Sequence, residues 1–193
     1  MEIKREITKE LLAESFHTLL LTHDFDKITI KMITDEAGVI RPTFYYYFED
    51  KYDLLSFLLY KNVFSRVKEL NALDMDVEGV KSIFISIEKD KKFYQRAFEV
   101  TGQNSFEHMF YNYSYELFLE RLGHYSLRDL PNYHLLTKDV VAKYYSIGFV
   151  NIIKEWLQNT FQSSYNENPS AEEIFEAYEF LNSHSILDLL KKE

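Results

Sequence analysis

The residues from Arg41 to Phe48 read Arg-Pro-Thr-Phe-Tyr-Tyr-Tyr-Phe. They combine one guanidinium, one threonine and three phenols, all donors of hydrogen bonds without negative charge. No acidic residue stands between Gly38 and Phe48, although the whole chain carries a formal net charge of −9. A carboxylate in that window would repel phosphate and displace no counterion. The chemistry therefore suits a surface laid against a polyanion. Tyrosine hydroxyls, a threonine and a helix N-terminus can hold phosphate oxygens without net charge. Arg41 can donate two hydrogen bonds to a guanine edge, and Thr43 can touch a thymine methyl.

Two short helices must position these groups. Thr29 is a good N-cap for a helix whose apolar residues are Ile30, Ile33 and Ala37. Gly38 follows where a helix needs a left-handed terminating residue. Pro42 then sits in the first turn of a second helix, where its missing N–H costs little. At about 100° per residue, Phe44 and Phe48 share one face and must be buried. Pro42 and Tyr46 lie opposite with Thr43 beside them, while Tyr45 and Tyr47 flank the edges. Three consecutive tyrosines span about 200° and cannot all face one core. Two short helices joined through a Gly-containing turn, at about residues 29–48, form a helix-turn-helix.

The rest of the chain also repeats at helical spacing, so the expected fold class is all-α. Ile7, Leu11, Leu12, Phe16, Leu19 and Leu20 form one stripe of a first helix ending near His23. Asp50 and Asp53 open a fourth helix that runs through Phe64. After a polar break over Asn71–Gly79, helices are expected at Val80–Lys89, Lys91–Val100 and Ser105–Leu122. Gly123–Asn132 reads as a loop and Val140–Phe161 as the longest helix. A turn at 166–169 precedes a last helix, capped by Ser170 and reaching about Leu190. The apolar residues of the last two helices cover more than one core face, which points to a homodimer sharing them.

The chain has no cysteine, so disulfides and thiolate metal sites are excluded. No apolar run approaches the ~18 residues of a membrane span, and no apolar stretch follows the charged start. A cytoplasmic protein without a membrane partner is expected. No two of the six histidines share a helix face with an acid placed to bind a metal, and no metal or cofactor is expected. Phosphate loops, nucleophile elbows and zinc-protease motifs are absent, so nothing asks for catalysis. Phe106, Phe110, Tyr111 and Tyr115, facing Tyr144, Tyr145, Phe149 and Trp156, are the candidates for lining a small-molecule pocket; burial as core is the competing reading.

Residues 28–55 carry a resemblance. Ala-Gly-Val, then Thr-Phe-Tyr, then Phe-x-x-Lys-x-x-Leu-Leu is similar to the DNA-binding domain of the TetR/AcrR family of bacterial transcriptional regulators. The C-terminal part is more loosely similar to the branch containing an activator of a dihydroxyacetone kinase operon. The resemblance implies a DNA-binding domain over residues 1–50 and a ligand-binding and dimerisation domain over 51–193. It implies a homodimer on a palindromic double-stranded DNA operator, answering to a small-molecule effector or a coactivator protein. Thr29 would then face a phosphate and Lys31 a base or phosphate. Arg41, Pro42, Thr43 and Tyr46 would face bases, and Tyr45, Tyr47 and Lys51 would hold phosphates. Repression is the family's common sign. The alternatives are a coactivator-dependent activator, or a helical protein-interaction module that binds no DNA. Where the family usually has Ser or Thr as the cap of the recognition helix, this chain has Ile40. The lost cap costs roughly 1 kcal/mol. Either Pro42 compensates by fixing the first turn, or Ile40 contacts a base methyl.

Overall fold

The computed structural model describes residues 2–126, 134–160 and 169–189, and all regular structure among them is helical. Helix α1 (Glu2–Thr22) passes through a 3-10 turn (Phe25–Lys27) into α2 (Ile30–Glu36), α3 (Arg41–Tyr47) and α4 (Lys51–Leu59). A π turn (Tyr60–Phe64) joins α4 to α5 (Ser65–Asn71) without a break. Helices α6 (Asp76–Lys89), α7 (Lys91–Phe98), α8 (Phe106–Gly123), α9 (Lys138–Leu157) and α10 (Ala171–Ser183) complete the bundle, with a 3-10 turn at Ile186–Leu189.

Helices begin where a side chain can accept from an unpaired backbone N–H. Thr29 accepts from Met32, Asp50 from Tyr52 and Asp53, Ser105 from His108 and Thr137 from Val140. Ser170 forms a reciprocal capping box with Glu173. Each such cap contributes about 1 kcal/mol. At the end of α2, Gly38 takes φ +65°. The Val39 N–H then closes back on the Thr34 carbonyl at 2.9 Å.

Several boundaries differ from the sequence reading. The rod beginning at Lys51 continues through Phe64 to Asn71, and the polar break shrinks to residues 72–75. Gly79 belongs to α6, where a Cβ would lie 2.7 Å from Asn71 Oδ1 and 3.2 Å from Val67 Cγ1. The missing side chain is what lets α5 and α6 approach. Helix α7 stops at Phe98, with Val100 buried beyond it. Helix α10 stops at Ser183, and His184 is extended. Phe161, Leu190 and residues 127–132 and 166–168, which enter the expected helix ends, loop and turn, lie outside the described residues. In α1, Leu12, Phe16, Leu19 and Leu20 are buried with Ala13, whereas Ile7 and Leu11 are exposed. The core meets the face centred on Phe16, and Leu11 lies about 100° from Leu12 on the side away from it.

Two aromatic layers hold the molecule together. Phe98, Phe106 and Phe110 pack in sequence along α7 and α8, and Phe110 reaches Phe64 at 5.2 Å. Phe84 meets Phe149, Trp156, Phe175 and Tyr178 at centroid distances near 6 Å. The Trp156 indole donates to the Pro169 carbonyl at 2.8 Å. Helix α1 is fastened to α7 by His17, which stacks on Phe93 at 4.6 Å and meets Asp90 at 2.5 Å. Arg96 adds contacts to the Leu20 carbonyl and to Asp24, both at 3.4 Å.

Candidate nucleic-acid interface and sensing cavity

The predicted wheel of α3 is the one observed. Phe44 is fully buried and Phe48 nearly so, in tilted contact at 5.8 Å. Tyr46 is 60% exposed and Tyr45 48%, while Arg41 and Pro42 are exposed and Thr43 and Tyr47 half-buried. Arg41 donates to the Tyr45 hydroxyl at 2.9 Å, which holds both polar groups over the N-terminal end of the helix. The Tyr46 and Tyr47 rings meet edge to face at 4.9 Å. Ile40 makes no side-chain cap and stands well exposed beside Pro42. Thr29 and Lys31 open α2, and Lys31 is paired with Asp35 one turn on.

Lys51 is placed differently from the expectation that it holds a phosphate. Its ammonium donates to the carbonyls of Phe25 at 2.7 Å and Ile28 at 3.0 Å, with the Asp26 carbonyl at 3.5 Å. It also lies 4.3 Å from the centre of the Phe25 ring. Burial lowers its pKa from the ordinary lysine value, while the charges of Asp26 and Asp50 oppose that shift. Arg5, which no motif marks, supplies a cation at the edge of α3, its guanidinium standing 5.5 Å over the Tyr46 ring. No sequence signal places the first turns of α1 beside α3; only the tertiary fold does so.

The eight pocket candidates divide. Phe106, Phe110, Phe149 and Trp156 are buried core residues that fill the two aromatic layers. Tyr111 and Tyr115 are half-buried against the core and stack on each other along α8 at 6.3 Å, and the Tyr115 hydroxyl donates to Asp139 at 2.7 Å. That hydrogen bond, aided by burial, raises the Tyr115 pKa. One cavity of about 320 Å³ lies between α6, α8, α9 and α10, and a second of about 340 Å³, bordered by the predicted Tyr144, Tyr145 and Phe149, lies between α9 and α10. Val80, Phe118, Arg121, Phe175 and Tyr178 line the first, and Tyr145 is the sequence-predicted residue among its lining. Burial pushes the Tyr178 hydroxyl above the ordinary phenol range. Arg121 reaches Asp76 at 3.4 Å. Large aromatics at helical spacing drew attention to α8, but Phe106 and Phe110 fill the space there.

Helices α9 and α10 carry a second apolar face away from this core. On α9, Val140, Tyr144 (74% exposed) and Ile147 (62%) recur at steps of four and three. On α10, Phe180 and Leu181 are exposed, and Tyr144, Ile147, Gly148 and Leu181 border the second cavity. Helices with one face in a core and another apolar face outside are suited to pairing between subunits.

A helix-turn-helix whose reading side is exposed and free of carboxylates, carried on a helical bundle, defines the class of DNA-binding transcriptional regulators. Comparison with known proteins agrees. Residues 17–56 match the model described as "Bacterial regulatory proteins, tetR family", and residues 77–169 match "Transcriptional regulator C-terminal region". The chain is 25% identical over 158 residues to the HTH-type dhaKLM operon transcriptional activator DhaS of Lactococcus lactis, spanning 79% of this chain and 80% of that protein. It is 34% identical over 83 residues to the HTH-type transcriptional regulator YwcC of Bacillus subtilis, spanning 42% of this chain and 37% of that one. The solved structure titled "Dihydroxyacetone kinase operon activator DhaS" superposes with a TM-score of 0.61 at 21% identity, over 91% of this chain and 93% of its own. The chain belongs to the TetR family of bacterial transcriptional regulators. Among the described residues no helix is long and apolar enough to cross a membrane.

Proposed function

We propose that this chain binds a palindromic double-stranded DNA operator as a homodimer, with residues 1–50 as the reading domain and 51–193 as the sensing and pairing domain. The observation that carries the reading is the division of α3: Phe44 and Phe48 inside, Arg41, Pro42, Tyr45 and Tyr46 outside. In this reading Arg41, Pro42, Thr43 and Tyr46 meet base edges, while Thr29, Tyr45 and Tyr47 hold phosphates. Lys31 reaches base or phosphate by exchanging its Asp35 partner. Two such helices enter successive major grooves about 34–36 Å apart. The paired subunits meet through the exposed faces of α9 and α10.

The cavity beside Arg121 and Tyr178 would take a small, mostly apolar effector with a few polar atoms. An effector acts only by binding one spacing of the reading domains more tightly than another. Repression, with release by that effector, is the primary reading. Coactivator-dependent activation is the second, favoured by similarity to an activator over most of the chain. The test is selection of duplexes from a random-sequence pool by the wild-type chain, followed by gel shift. Arg41→Ala is expected to lose binding at unchanged helicity. Recovery of no preferred duplex would overturn the reading and leave the protein-interaction module.

A further inference from the structure

The first residue of α4 breaks a local rule. A lysine at a helix N-terminus opposes the helix dipole, where an acidic residue is favoured. Lys51 holds that place, yet its side chain runs back across the molecule to the turn between α1 and α2. There the carbonyls of Phe25 and Ile28 converge on one ammonium at 2.7 and 3.0 Å, and the Phe25 ring covers it. Phe25 itself is buried against Phe16 and Tyr52, so the turn is fixed from both sides. Asp50, the cap immediately before, accepts from the Tyr52 and Asp53 amides and sets the direction in which Lys51 departs. Ile28 directly precedes Thr29, the cap of α2.

We propose that Lys51 is a positioning residue for DNA binding: it ties the Phe25–Ile28 turn to α4 and so fixes Thr29 and Lys31, and its charge is not one of those placed on phosphates. The proposal rests on the DNA-binding reading and goes beyond it. The carbonyls satisfied here would otherwise face solvent or each other beside a buried ring, and an ammonium is the side-chain group with three donors at a point. A lysine held this way orders the approach of α2 to a duplex without joining the counterion exchange.

Two experiments on the full chain test this. The first needs no variant: amine acetylation of the wild type is followed by mass spectrometry, with and without a duplex recovered from a random-sequence pool. In the DNA-free chain Lys51 is expected to react several-fold more slowly than exposed Lys27, and the duplex is expected to add no protection. Lys51 reacting like Lys27 in the free chain, and becoming protected by the duplex, would overturn the proposal. The second uses Lys51→Met. Affinity is expected to fall while the slope of log K against log salt stays at the wild-type value, whereas loss of a phosphate contact lowers the slope by about 0.9. Faster amide exchange at Phe25–Lys31 in the DNA-free variant is the expected companion. A smaller slope with unchanged exchange would refute positioning. If the wild type recovers no duplex, the DNA-binding reading itself fails, and the acetylation of the free chain still reports on the clasp.

Discussion

Replacing one aromatic residue at a time on α3 separates folding from reading. Phe44→Ala removes a ring that is fully buried and touches Tyr45 at 5.5 Å and Phe48 at 5.8 Å. Truncating such a ring costs about 3–5 kcal/mol, a large part of the 5–15 kcal/mol typical of a whole domain. Helix α3 has only 7 residues, too few to persist without its packing. Amide exchange over α2 and α3 should therefore rise sharply, with the α8 and α9 core around Phe110 and Phe149 less affected. Tyr46→Ala removes a ring two positions away that faces solvent. Its stability change should stay within about 0.5 kcal/mol in urea unfolding. Loss of one hydrogen bond to a charged phosphate or a base edge is about 1.5–3 kcal/mol. That is roughly a 10- to 150-fold loss of operator affinity. Tyr46→Ala unfolding the domain as Phe44→Ala does would refute the assignment of faces. So would Phe44→Ala leaving both exchange and binding intact.

Further consequences can be checked independently. Gly38→Ala places a Cβ on a backbone at φ +65° with open space around it, so the cost is conformational alone, about 1–2 kcal/mol by thermal or urea unfolding. Ile147→Glu puts a charge in the exposed α9 face, and sedimentation should then report a monomer where the wild type is a dimer. At Asp139, hydrogen bonds from Lys143 and then Tyr115 hold the carboxyl below its ordinary value of 3.8. The unfolded chain therefore binds this proton first as pH falls. The stabilisation is fully present above the unfolded value and fades as pH drops through the depressed native one. Lys143→Met should move the Asp139 carboxyl titration upward by NMR.

The sequence disclosed the reading end of this molecule because its signals there are local. Thr29, Gly38 and Pro42 each fix a backbone geometry within one turn, and the wheel from Phe44 to Phe48 needs nothing beyond helix pitch. Arg5 and Lys51 were beyond such reasoning. Arg5 meets Tyr46 only because α1 crosses the motif, and Lys51 reaches carbonyls that lie 23 and 26 residues back in the chain. The cavity was illegible for another reason. Composition draws attention to Phe106, Phe110 and Trp156, but large rings at helical spacing close space. An opening arises where helices diverge, here between α8 and α10 beside Phe118, Arg121 and Tyr178. Periodicity reports which face of a helix is apolar and not how far apart two apolar faces stand. The double-sided pattern of α9 could be read, because a helix apolar on two faces has one more face than a single core covers.

The acidic balance of the chain agrees with DNA recognition once the carboxylates near the motif are followed to their partners. Asp50 accepts from two amides, and Asp53 accepts from the Glu49 N–H at 3.0 Å. Asp24 is shared between Lys27 and Arg96. These acids are engaged by cations or backbone around the motif, while the outward side of α3 holds hydroxyls and one guanidinium. Such a surface gains little from the phosphate field alone, and the −9 of the whole chain works against binding at arbitrary sequence. In the proposed reading, what remains are hydrogen bonds with direction, from Arg41, Thr43 and the tyrosines. These are satisfied only when base edges and backbone arrive in register. An acidic protein with few charges on its reading face is expected to have low affinity for non-specific DNA and to keep its affinity for the site that fits. The quantity that matters in a genome of competing sites is the ratio of the two.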